Sequence, residues 1–228
     1  MKDIASGPSA ILAEIAEALR PCGIYLRGVA AFAPGEGPLL VGGSPARSMV
    51  LLGNIGGSLW PAFSRWRRNY GGPDPLDTFS KEAIRPLAER LGATAFFPSD
   101  PPWQPFQQWA MKADGLRPSP LGILIHPRYG LWHGYRGALG FPFEIGAEHE
   151  HVGHACDACR DKPCLAHCPV NAVTPDRFDI AACRGYLKSE AGRASCMVTG
   201  CAARNACPVG ADFRYPPEQL RFHMDALL

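Results

Sequence analysis

Eight of the nine cysteines lie between Cys156 and Cys207, and Cys22 is alone in the first two thirds of the 228 residues. That concentration constrains the fold more than any other feature, because the same stretch has few large apolar side chains and almost no periodic pattern. A segment of roughly 80 residues with so little to bury is marginal without covalent or metal staples. Which staple it uses depends on the compartment. Lys2 and Asp3, then Glu14 and Glu17, interrupt the apolar run that a secretory signal needs, so a cytoplasmic protein is expected. In a reducing cytoplasm, clustered thiols are metal ligands or redox groups more often than disulfides. The most apolar stretch, Leu39 to Trp60, is broken by Arg47 and by repeated Gly and Pro, and fails as a membrane span of about 20 apolar residues.

The spacing narrows the choice. The first group reads Cys156-x2-Cys159-x4-Cys164-x3-Cys168-Pro169, close to the bacterial ferredoxin run C-x2-C-x2-C-x3-C-P but two residues longer in its second gap. The second group comprises Cys183, Cys196, Cys201 and Cys207, and the last is again followed by proline. Cys168-Pro169-Val170 and Cys207-Pro208-Val209 end the two groups alike, as an internal duplication would. A cubane cluster needs four thiolates converging on one centre, of which a tight loop supplies three. In two-cluster ferredoxins the cysteine before proline serves the other cluster. Applied here, that crossover assigns one [4Fe-4S] cluster to Cys156, Cys159, Cys164 and Cys207, and a second to Cys168, Cys183, Cys196 and Cys201. Structural zinc sites are the alternative, since they also take four cysteines with C-x2-C loops, but they need neither Cys-Pro ending. His151, His154 and His167 lie nearby and are read as surface or hydrogen-bonded residues, because the thiolates already fill both sites.

The rest of the chain is patterned like a globular domain, with 46% hydrophobic residues, 19% charged and a net charge of +2. Disorder is excluded by that balance, and a broad nucleic-acid face is not expected. Helices are expected at Pro8 to Leu19 with Ser9 as N-cap, after the glycines at 53, 56 and 57, at Leu76 to Leu91 with a kink at Pro86, near Phe106 to Lys112, and from Pro217 to the end. Strands are expected near Ile24 to Val29, Met49 to Leu52, Thr94 to Phe97, Leu121 to Ile125 and Tyr135 to Phe141. This alternation suggests an α+β architecture, with a sandwich over residues 1–148 and a small cysteine-rich domain over 149–228. Gly53-x-x-Gly56-Gly57-Ser58 is a turn with Ser58 as N-cap rather than a phosphate cradle, since it lacks the glycine spacing of known phosphate loops. Arg65, Arg67 and Arg68 read as a solvated helix face, and Cys22 as a small buried side chain.

One block outside the cysteines is dense in aromatic and polar residues: Ile125-His126-Pro127-Arg128-Tyr129-Gly130-Leu131-Trp132-His133-Gly134-Tyr135-Arg136-Gly137. Taken alone it is two strands around a glycine turn. It resembles the I-H-P-R-F-G-G-W...R-G block of the MMACHC cobalamin-processing chaperone family, with Tyr129 and Leu131 as departures. Weaker likeness extends back through Pro118-Ser119-Pro120-Leu121-Gly122 and Pro73-Asp74-Pro75-Leu76-Asp77 to the Pro21-Cys22-Gly23 start. The cysteine-rich part instead resembles the ferredoxin part of epoxyqueuosine reductases, including the isolated cysteine of Asp179-Ile180-Ala181-Ala182-Cys183-Arg184-Gly185-Tyr186-Leu187.

Both resemblances imply a corrinoid with its nucleotide base detached, held in a domain that is nitroreductase-like in the chaperone family. They imply a cobalamin-binding iron–sulfur oxidoreductase of the cobalamin reductase or decyanase type. An external electron donor is then needed: a reductase, a flavodoxin or a ferredoxin. Neither a nucleic-acid nor a membrane partner is expected. Ser119, Gly122, His126, Tyr129, Gly130, Trp132 and Tyr135 are the implied corrinoid contacts, with Ser119 and Gly122 toward the detached tail, and core packing is the competing explanation for each. The same sandwich could hold FMN, which makes a flavin-linked electron carrier the alternative function. The repeat domain that grips transfer RNA in the reductases has no counterpart in these residues, so tRNA modification is not implied.

Overall fold

The computed structural model describes residues 7–146 and 153–228. These divide into two compact units. One takes the described residues through Gly115 and again from Gly134 to 146; the other takes Leu116–His133 and the described residues from 153 onward. The boundary expected at 148/149 falls outside the described residues. The more informative difference is that 116–133, expected to belong with the sandwich, groups with the cysteines.

The first unit opens with α1 (Pro8–Leu19), β1 (Tyr25–Ala31) and β2 (Ser48–Ile55), followed by α2 (Trp60–Arg67) and α3 (Pro75–Leu91). Then come β3 (Thr94–Phe96) and α4 (Phe106–Asp114). After the excursion into the other unit, which holds β4 (Arg117–Pro118) and β5 (Leu124–Ile125), the sheet is completed by β6 (His133–Phe141). The order is β1-β2-β6-β3, with β1 antiparallel to β2 and β3 antiparallel to β6. β2 is buried along nearly its whole length because it is central and both of its faces are covered. Val50 and Leu52 join Ile11, Ile15 and Leu19 of α1 and Ile84 and Leu87 of α3 in one apolar cluster. α4 packs on β1 and β2.

Local chemistry explains the departures from expectation. α1 starts at Pro8 with Gly7 as N-cap and no side-chain cap, so Ser9 is inside the helix. Proline fits that first turn because its missing N–H would have had no partner there. Ser58 is not an N-cap either. Its hydroxyl donates to the Gly23 carbonyl at 2.7 Å and accepts the Ile55 N–H at 3.1 Å, tying the end of β2 to the start of β1, while Leu59 caps α2. α3 runs through Pro86. The strand expected over 121–125 is shortened to β5, because Gly122 N–H closes a turn on the Ser119 carbonyl at 2.9 Å.

The second unit pairs β4 antiparallel with β5 and otherwise consists of short helices. They are α5 (Ala155–Ala158), α6 (Pro163–Ala166), α7 (Ile180–Lys188), α8 (Glu190–Ala194), α9 (Cys196–Thr199), α10 (Ala202–Asn205) and α11 (Pro217–Asp225). α11 packs on α9, and α10 on α6. Helices of four or five residues cannot sustain themselves. Their support is two small apolar clusters in which cysteines take part: Leu121, Ile125 and Leu131 with Cys164 and Cys207, and Leu187 and Met224 with Cys196.

Candidate functional site

The short helices distribute the eight cysteines into two sets. Cys156 rides on α5 with Cys159 at its C-cap, Cys164 lies in α6, and Cys207 follows α10. These four line one apolar gap together with Leu121, Ile125 and Leu131. Cys168 follows α6, Cys183 lies in α7, Cys196 opens α9 and Cys201 caps α10, and these four line a second gap with Val173, Phe178 and Met224. Each gap therefore collects one of the two crossover quartets read from the Cys-Pro endings.

Electrostatics follow the same division. Burial pushes the Cys156 thiol up to about 11, and the neighbouring sulfurs of Cys207, Cys164 and Cys159 add to the shift. Burial likewise raises Cys183 to about 11, helped by Cys201, Cys168 and Cys196. Neither thiol feels a member of the other quartet. Backbone donors work in the opposite sense: the Ala172 N–H reaches the Cys168 sulfur at 3.2 Å, and N–H groups of Arg204 and Val209 serve Cys201 and Cys207 respectively. Crowded thiols such as Cys156 and Cys183 resist ionisation in an apolar gap until a cation accompanies them, so each quartet is a donor set suited to a cationic centre. Among the described residues, no three His, Cys, Asp or Glu side chains form a group that could hold a metal ion as the side chains stand. His154 lines a neighbouring cavity, His167 Nδ1 lies 2.8 Å from the Pro163 carbonyl, and His151 falls outside the described residues.

The block around His126 packs against the first quartet. His126 and Gly130 exchange backbone hydrogen bonds at 2.9 and 2.8 Å, closing a tight turn. Gly130, at φ +57°, seats the turn on the Val209 carbonyl, where a Cβ would stand 1.8 Å from that oxygen. Gly210 reciprocates, since its own Cβ would strike the Tyr129 carbonyl group. The His126 ring stacks on Tyr129, and its Nδ1 accepts the N–H groups of Arg128 and Tyr129. The neutral ring therefore carries its proton on Nε2, which makes that nitrogen a hydrogen-bond donor rather than a metal ligand.

The expected corrinoid contacts are spread over distinct places. Ser119 and Gly122 share an open cavity beside Cys156, while His126, Tyr129 and Gly130 make the turn. Trp132 is fully buried beneath the Arg204 guanidinium, 4.4 Å from the ring centroid, and edge-on to Tyr215. Tyr135 belongs to the first unit, where the Arg27 guanidinium covers its ring and burial raises its pKa.

Sequence reasoning missed Arg204. Its guanidinium lies between Trp132 and Tyr215, 4.8 Å from the latter, and donates to the Leu131 carbonyl. Its backbone meanwhile serves Cys201 and accepts the Cys207 N–H. One residue thus ties the His126 block to both quartets, with cation–π contacts of about 1–2 kcal/mol each when desolvated. Nothing in Ala202-Ala203-Arg204-Asn205 announces this role. Among the remaining candidates, Cys22 is half-buried with its thiol pKa raised by burial, which disfavours nucleophilic use. Arg65, Arg67 and Arg68 are exposed, as a solvated face requires.

The elements define a mixed α+β protein with a cysteine-rich second unit. Among solved structures the chain is similar to the C. elegans B12-trafficking protein CblC, a homologue of human MMACHC, with a TM-score of 0.51 at 14% identity over 95% of this chain and 91% of that one. At that identity the likeness concerns the fold. No known family profile matches the sequence, and no curated protein matches it. Among the described residues no helix is long and apolar enough to cross a membrane.

Proposed function

We propose that this protein is a cobalamin-binding iron–sulfur oxidoreductase that passes electrons from two [4Fe-4S] clusters to a base-off corrinoid for reductive removal of its upper ligand. The observation that carries the reading is the sorting of the cysteines into two quartets, each around its own apolar gap, with the His126 block walling one of them. The fold it shares with a B12-trafficking protein supports the corrinoid half. When bound, the clusters would supply single electrons at low potential and the corrinoid a reducible cobalt.

The protein's own residues prepare this chemistry. The two sets of thiols hold the clusters, and Leu121, Ile125 and Leu131 keep water from the first. Two Cys-Pro endings suit a pair of polynuclear clusters better than zinc sites, which need neither. His126, whose Nδ1 accepts two backbone N–H groups, would stand among the residues that hold the amide-bearing edge of a corrinoid, which would supply the reducible metal.

Anaerobically purified protein should contain about eight irons and a matching amount of acid-labile sulfide per chain. Once pre-reduced, it should convert added cobalamin to its reduced forms, seen as a change in absorption. Zinc without sulfide would overturn the cluster half, and failure to bind any corrinoid would overturn the other. A yellow flavin released on denaturation, with no corrinoid affinity, would select the flavin-linked carrier instead.

A further inference from the structure

We infer that the open cavity beside the first quartet is a phosphate-binding site, in which Lys162 and Arg177 anchor a phosphate group of a ligand lying against Cys156. Only one of the two sources of that phosphate considered below rests on the corrinoid reading. The cavity, of about 440 Å³, is lined by Ser119, Gly122, His154, Asp157, Lys162 and Arg177, with Cys156 in its wall. Ser119, Pro120, Cys156 and Lys162 also line the apolar gap of the first quartet, so the two spaces share a wall. Whatever occupies the cavity touches the edge of that quartet.

Charge selects the occupant. Asp157 is held by Arg117 at 2.5 Å, and Asp176 is the other carboxylate in the lining. Arg117, just outside the lining, takes the ion pair with Asp157, whose charge Lys162 also feels, so with Arg117 counted three cations stand against two carboxylates. Arginine supplies a fork and lysine a point charge, the combination that suits phosphate oxygens. The Ser119 oxygen already accepts the Leu121 N–H at 3.3 Å, which leaves its hydroxyl proton to donate. Lys162 sits at φ +39°, a left-handed conformation that favours glycine, and a lysine kept in such a place fits a site that needs its ammonium.

A phosphate group could reach the cavity on the detached nucleotide tail of a corrinoid or on a free phosphate ester. The two are separated by titrating the reconstituted protein with cobalamin, with cobinamide, which lacks the nucleotide and its phosphodiester, and with inorganic phosphate followed by phosphorus NMR. The parent protein is expected to broaden the phosphate resonance, and a K162Q/R177Q variant with unchanged iron content is expected not to. If the tail is the source, cobalamin binds at least tenfold more tightly than cobinamide, and the variant loses that advantage while cobinamide affinity stays the same. If a free ester is the source, both corrinoids bind equally and only the phosphate response depends on Lys162 and Arg177. Loss of both corrinoids with a retained phosphate response sinks the corrinoid reading and leaves the site standing. A phosphate resonance unaffected by the protein, together with a cobalamin-to-cobinamide ratio that the variant does not change, overturns the inference.

Discussion

The two units solve the same problem by different means. In the first, long elements bury Ile15, Leu19, Leu52, Ile84 and Leu139 completely or nearly so, and the sheet has helices on both sides. In the second, helices of four to nine residues surround two gaps, and the buried side chains include Cys164, Cys196 and Cys207. Burial at roughly 25 cal/mol per Å² explains the stability of the first. The second puts thiols where a conventional core would put leucine and isoleucine. On the proposed cluster reading, the sheet unit would fold unaided while the cysteine unit would fold with its clusters.

The strongest way to break that comparison is to remove one thiol. Cys207→Ala is expected to cost the first quartet its iron and to unfold most of the second unit, with the sheet unit intact; iron analysis combined with hydrogen exchange checks this. Retention of slow exchange throughout 153–228 would mean that the apolar clusters suffice alone.

A smaller effect should come from Gly130→Ala, which forces a side chain into the Val209 carbonyl at a positive φ. A destabilisation of about 3 kcal/mol or more is expected. Exchange should accelerate in 126–133 and around 209, because the turn detaches from its seat. Exchange confined to the sheet would instead place 116–133 with the first unit.

The mildest test marks the sheet unit by its own titration. The Tyr135 hydroxyl, buried among β-strand neighbours, has a folded pKa above the ordinary value of 10. Its contribution to stability is full below pH 10 and is lost as pH rises beyond that, because the unfolded tyrosine ionises first. Tyr135→Phe should change stability at pH 7 by only about 1 kcal/mol. It should also remove one alkaline step from thermal melts of the sheet unit, whether or not iron is present.

What could be read in advance follows the range of the interactions. α1 is legible as Pro8–Leu19 because its apolar spacing and leading proline are local. The division of the cysteines between two gaps is legible because Cys168 and Cys207 carry the same Cys-Pro mark. Ser9 and Ser58 mislead because a hydroxyl near a helix start is only a local cue, and Ser58 is instead drawn to Gly23, 35 residues away. The grouping of 116–133 with the cysteines depends on Gly130 meeting Val209 and on Arg204 reaching Leu131 and Trp132. No periodicity encodes such contacts, and a lone arginine or glycine gives no hint of its distant partner.

The seat of Gly130 on Val209 and Gly210 also bears on how the polypeptide is made. Residues 116–133 leave the ribosome first, exposing Leu121, Ile125 and Leu131 before any surface exists to receive them. At about 5–20 residues per second, several seconds pass before Cys207 and Val209 emerge. A nascent chain in that interval carries an uncovered greasy hairpin. If the quartets take up the proposed clusters, metal loading and sheltering of that hairpin become a single late event in biosynthesis.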